Sequence, residues 1–160
     1  FVPVDASLGD TWQQVGFNDS AWLSGVTGIA YETNPGNYIP LNGLDVIGAN
    51  TVNATVYVRV PFTIPNQAAL DKIGVLTLNM KYDDGFVAYL NGSEVARANI
   101  TGTPAYDSRA TGSHPDDEAV DFVDFPLLGA TLVSGRNVLA IQIINQSPTS
   151  RMTRRCTTEP

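Results

Sequence analysis

The sequence predicts an all-β domain, a β-sandwich of two antiparallel sheets. Three observations lead there. Stretches of strict two-residue alternation recur along the chain, as half-buried strands require. Turn residues separate them, above all Asn91-Gly92, the strongest short-range signal for a type I′ hairpin. No stretch of the 160 residues carries a convincing helical period.

The meander from residue 75 to residue 98 is the clearest unit. Leu76, Leu78, Met80 and Tyr82 alternate with Val75, Thr77, Asn79 and Lys81. Asp83-Asp84-Gly85 interrupts the pattern as a turn, with Gly85 placed where a positive φ is expected. Phe86, Ala88 and Leu90 resume it up to Asn91-Gly92, and Ser93 to Ala98 returns.

The remaining elements follow in chain order. Phe1 to Val4 reads as a short first strand. Trp12 and Phe17 read as loop anchors on a core, whereas Trp22 is equally suited to stacking on a sugar. Gly25 to Tyr31 predicts a short strand, and Glu32 to Asn53 a long polar loop. In Ala54 to Ile64, Val56, Val58, Val60 and Phe62 face one way and Tyr57 and Arg59 the other. Arg59 is expected in a buried or semi-buried ion pair. Pro61 marks an edge strand or a bulge. Pro65 to Lys72 is a turn or one helical turn. Asn99 to Glu118 is a second long loop, Ala119 to Leu127 a strand, and Leu128 to Gly135 a connection. Asn137 to Ile144 is almost continuously apolar, as a strand buried on both faces would be.

Composition narrows the function. A length of 160 residues fits one domain with a real core. The net charge of −7 argues against nucleic acid and anionic membranes as partners. No signal peptide is visible, and no apolar run reaches the ~20 residues of a membrane span. The chain reads as one mature module of a longer protein. A single cysteine, Cys156, excludes an internal disulfide framework and a multi-cysteine zinc site. Asn18, Asn53, Asn91, Asn99 and Asn145 each open an Asn-X-Ser/Thr sequon, relevant only in a eukaryotic secretory pathway.

Several segments occur together in a familiar order: Phe17-Asn-Asp-Ser-Ala-Trp22; Tyr57-Val-Arg59 with Phe62; Tyr82-Asp-Asp-Gly-Phe-Val-Ala-Tyr-Leu-Asn-Gly92 with Glu94-Val-Ala-Arg97; and Gly135-Arg-Asn-Val-Leu-Ala140 with Asn145. Over residues 12 to 148 the chain resembles galactose-binding-like jelly-roll modules, accessory domains of large secreted bacterial proteins. It is similar also to the sugar-binding domain of family 2 glycoside hydrolases. The resemblance implies a non-catalytic carbohydrate-binding or adhesion module, secreted or at the cell surface, and allows a structural calcium. It places the domain at residues 1–150. Residues 151–160, which hold three of the nine basic residues and Cys156, depart from the pattern and read as a poorly ordered tail foreign to the fold.

Alternating strand direction gathers the 83–85 turn, both long loops and Asn145 at one pole. The candidate carbohydrate-binding residues are Trp22, Tyr31, Tyr38, Asp83, Asp84, Tyr106, His114 and Asn145. Carboxylates and amides read hydroxyl groups while rings stack on C–H faces. Asp84, Asp116, Asp117 and Glu118 supply the hard oxygens that Ca2+ takes. Bland roles compete: Asp83 as a turn cap, residues 116–118 as a solvated acidic run, His114 as an incidental loop residue. No catalytic residue is assigned, because no nucleophile elbow, His-metal motif or phosphate loop is present. Two other functions stay open, a spacer packing against neighbouring domains of the same polypeptide and a glycoside-acting enzyme fragment.

Overall fold

Strands form where period two was strongest. The computed structural model describes residues 1–26, 28–30, 44, 45, 52–115, 117–127 and 131–148. Its elements are β1 (Ile29–Ala30), β2 (Leu44–Asp45), β3 (Thr55–Ile64), α1 (Gln67–Leu70), β4 (Thr77–Met80), β5 (Gly85–Leu90), β6 (Ser93–Ala98), β7 (Val123–Pro126) and β8 (Gly135–Ile144), with a 3₁₀ turn at Thr11–Gln13. A four-stranded antiparallel sheet runs β3-β8-β5-β6, and β4 pairs antiparallel with β7 in a second sheet. The chain is thus nearly all-β, with two antiparallel sheets disposed as in a β-sandwich. No helix among the described residues is long and apolar enough to cross a membrane.

Side-chain parity explains the layering. Val56, Val58, Phe86, Ala88, Ile141 and Ile143 leave one face of the large sheet and meet Leu78 and Met80 of the small one and Leu127 just after it. Leu76, Tyr82 and Phe125 pack against that core. Fully burying each such side chain contributes about 1.5–3 kcal/mol. The opposite face of the large sheet is covered as well, by loops instead of strands. Trp12 stacks on Tyr57 with ring centroids 4.1 Å apart and meets Tyr89 edge-on at 5.7 Å. Ile100 and Ala110, from the loop after β6, close the same layer. Hence β8, with both faces covered, is apolar nearly throughout.

Arg59 clamps the N-terminal loop to this outer face. Its side chain is 1% exposed, and Nε donates to Asp19 Oδ2 at 2.8 Å. Nη1 donates to the carbonyls of Gln14, at 3.0 Å, and Trp12. The expected ion pair is present.

The Asn91-Gly92 hairpin also forms as expected, with φ of 52° and 87°. Asn66 caps α1, its side chain accepting from Ala69 N at 2.9 Å. Other expectations need correction. Gly85 does not lie at a positive φ. It opens β5, and a Cβ there would sit 2.9 Å from the Ala98 carbonyl oxygen and 3.1 Å from that of Asn99. Close main-chain approach, not turn conformation, is what demands glycine.

The strand expected over Ala119–Leu127 is confined to Val123–Pro126. Its first residues belong to a turn in which Glu118 N and Ala119 N both donate to the Pro115 carbonyl, at 3.0 and 2.9 Å. Among the described residues of the Gly25–Tyr31 stretch, the strand covers Ile29–Ala30. It pairs in parallel with Leu44–Asp45, inside the stretch expected to be a loop. Phe1 to Val4 is not a strand, although Phe1 and Tyr57 exchange two main-chain hydrogen bonds of 2.8 and 2.9 Å. Most of the 32–51 loop and the whole 151–160 tail lie outside the described residues.

Candidate functional site

The register places the ends of the strands. Gly85 pairs with Ile144, and Ile144 with Thr55, so the segments before β5 and β3 and after β8 share one pole. The loop after β6 joins them there: Thr111 N donates to Asn99 O at 2.8 Å and Ala110 N to Asn145 O at 3.0 Å. The sequence argument about strand direction therefore holds for residues 83–85, 99–115 and 145–148.

Asp84 ties this pole together. Its Oδ1 accepts the His114 amide at 3.1 Å, its Oδ2 the Gln146 amide at 2.8 Å, and its carbonyl the Asn99 side-chain amide at 2.8 Å. Asp83, Asp84 and Asn145 are 3%, 5% and 0% exposed. An open, acid-lined cleft was expected here, but these three side chains lie inside the joint. The role of Asp84 is to bind three loops to one another.

His114 stacks on Tyr82 at 4.2 Å, with Nδ1 2.8 Å from the Tyr82 carbonyl and Nε2 3.9 Å from Glu118. The hydrogen bond to a carbonyl requires the proton on Nδ1, which leaves Nε2 facing the carboxylate. Burial raises the Tyr82 phenol above its ordinary pKa, and the nearby Glu118 carboxylate adds to this.

Of the expected calcium ligands, Asp84, Asp117 and Glu118 are among the described residues. Asp84 is committed to two main-chain amides, while Asp117 and Glu118 are exposed. Among the described residues no three His, Cys, Asp or Glu side chains form a metal shell. Asp116, Tyr31 and Tyr38 lie outside the described residues.

Two of the candidate aromatics sit away from the joint. Trp22 lies along the outer edge of β3, stacked on Phe1 at 4.9 Å and edge-on to Phe17 at 5.4 Å. With Leu23, Val26 and Ile29 it borders a groove of about 300 Å³ beside residues 56–61.

Tyr106 belongs to a different concavity, a pocket of about 200 Å³ between the outer face of the large sheet and two loops. Tyr57 and Gln142 of the sheet form its floor, and Asp5, Asp10, Gln13 and Tyr106 line it from the loops. Local bonds fix these walls. Asn53 Nδ2 holds the Tyr106 carbonyl at 2.7 Å, and Gln142 Nε2 holds the Ala105 carbonyl at 2.7 Å. Gln13 Nε2 reaches Asp10 at 3.4 Å. Burial, with the Asp10 and Asp107 carboxylates nearby, pushes the Tyr57 phenol up to about 12. The pocket can therefore offer rings, amides and carboxylates to a small polar molecule, and it has no Lys or Arg in its lining.

Of its lining residues, only Tyr106 stood out in the sequence. A usable signal did exist. Gln142 interrupts the otherwise apolar run Val138–Ile144, and a lone amide in a doubly covered strand must have a polar partner.

No protein-family model matches the chain, and no curated protein matches it.

Proposed function

We propose that this chain is a galactose-binding-like jelly-roll module that binds carbohydrate without catalysis, within a secreted or cell-surface multidomain protein. The observation that supports this reading is the loop-walled pocket of about 200 Å³ beside Tyr106, with amides and carboxylates around aromatic rings. Sugars are recognised by such groups, polar atoms for the hydroxyls and rings for the apolar faces. The volume is below the ~300 Å³ usual for drug-sized ligands, so the pocket suits one sugar residue or a chain end. The order of segments from Phe17 to Asn145 adds the resemblance described above.

A glycan array probed with and without calcium tests the reading. Binding to at least one glycan, weakened about tenfold by Tyr106→Ala, is expected. Absence of binding in both conditions would overturn it.

A second reading, a spacer packed against neighbouring domains, is favoured by one observation. Leu23 and Val26, beside the groove along β3, are 71% and 72% exposed. Single large apolar residues at a surface are ordinary, but adjacent ones beside a groove mark contact surfaces. Protection of residues 22–26 from hydrogen exchange in a longer, multidomain form, compared with the isolated chain, would favour the spacer.

A further inference from the structure

The floor of the loop-walled pocket holds polar atoms that the protein itself leaves unused. Tyr57 is 4% exposed, and its hydroxyl makes no hydrogen bond to any described residue. Gln142 is 2% exposed; its Nε2 is bound to the Ala105 carbonyl, while its Oε1 has no partner among the described residues. Neither atom is among those sealed from solvent without a partner, so both open into the pocket, where a ligand with hydroxyl or amine groups can reach them.

The charge around the pocket selects further. Asp5 and Asp10 stand on its rim, both exposed, and Asp107 lies close enough to act on the Tyr57 hydroxyl. None of the three makes a salt bridge to a described residue. The lining contains no Lys or Arg. An acidic sugar entering here would meet like charge, a neutral one would leave the carboxylates uncompensated, and a cationic one would complement them.

We infer that the pocket floored by Tyr57 and Gln142 and rimmed by Asp5 and Asp10 binds an amino sugar, its ammonium group facing the rim and its hydroxyl groups the floor. This rests on the carbohydrate-binding reading above and names the class of sugar. No covalent step is involved.

The test uses the whole 160-residue chain. Amide shifts are followed by NMR at neutral pH during separate titrations with D-glucosamine, N-acetyl-D-glucosamine and D-glucuronate. Glucosamine is expected to move the amides of residues 8–13 and 104–106 and to bind at least tenfold tighter than either other sugar. Asp10→Asn should weaken glucosamine about fivefold and leave N-acetylglucosamine unchanged. Asp107→Asn, at an exposed position, serves as a second charge variant and should weaken it less. Equal binding of glucosamine and its N-acetyl form would overturn the charge selection and leave the carbohydrate reading standing. Shifts confined to residues 83–84 and 114 would overturn the choice of pocket. No shift with any of the three sugars, together with a blank glycan array, would remove both readings.

Discussion

Replacing Asp84 with alanine removes the acceptors for two main-chain amides at once. His114 N and Gln146 N donate to its two carboxylate oxygens at 3.1 and 2.8 Å, and the residue is 5% exposed. His114 is half-buried and Gln146 exposed, so each amide that loses its partner costs the low end of the about 1–3 kcal/mol of a buried group, about 2 kcal/mol for the pair. For a domain of this size that corresponds to a fall in melting temperature of about 4–8 °C. Asp84→Asn keeps the shape and one acceptor but turns an amide donor toward the other main-chain N–H. About half of the loss, ~1 kcal/mol, should remain. Urea unfolding of the three proteins measures the series, and amide hydrogen exchange localises it. The amides of His114 and Gln146 should lose protection in Asp84→Ala, while those in the centre of β8 keep theirs. A loss under about 0.5 kcal/mol, the range of an ordinary surface substitution, would refute the view that this carboxylate joins the pole.

The remaining predictions concern packing, charge and ligand. Gly85→Ala should destabilise by about 1–3 kcal/mol, as overpacking does, because the new methyl lies 2.9 Å from a main-chain oxygen; wild-type melting would sink that argument. The hydrogen bond from Arg59, then its charge, hold the Asp19 carboxyl below its ordinary pKa. A lowered folded pKa contributes stability above the unfolded value of about 3.9, lost as pH falls through the folded one. Asp19→Asn should therefore cost about 2 kcal/mol at pH 7, the worth of a charged hydrogen bond, and its gap to wild type should narrow below about pH 4; equal gaps in urea midpoints at pH 7 and pH 3 would contradict this. Glycan binding weakened by Tyr106→Ala, and glucosamine binding weakened by Asp10→Asn, complete the set.

The inner layer of the fold was readable because burial there follows strand parity. Val56, Val58 and Val60 oppose Tyr57 and Arg59 just as the alternation implies, and Ser93 to Ala98 returns from a hairpin that its two turn residues specify. The outer layer was not readable by the same means. Tyr57, Val87, Tyr89 and Ile144 are covered by loops, and the Trp12 ring that covers Tyr57 lies 45 positions away in the chain. No local period encodes such a contact. Val120 and Phe122 alternated without being in a strand, because Pro115 starts a turn whose hydrogen bonds outcompete extension there. The pole was predicted from strand direction alone, and its residues do assemble. What direction cannot tell is whether acids meeting at a pole face outward or bond to passing amides, and Asp84 does the latter. The pocket at Tyr57 draws its residues from four separate segments, so only Tyr106 and the odd Gln142 hinted at it.

The register of Phe1 on Tyr57 bears on how open this edge of the sheet is to a further strand. Tyr57 gives its N–H and carbonyl to Phe1, so in an antiparallel ladder the residues at 59, 61 and 63 turn theirs outward too. Position 61 is proline and has no N–H to give. A foreign strand zipping along this margin would meet an occupied rung at 57 and a donorless one two rungs on, with a single usable rung between. At the other margin β6 carries Glu94 and Arg97 and is thrown out of step by the extra residue opposite Ala88 and Tyr89. Neither flank of the large sheet offers the long, even ladder on which stacking into fibrils depends.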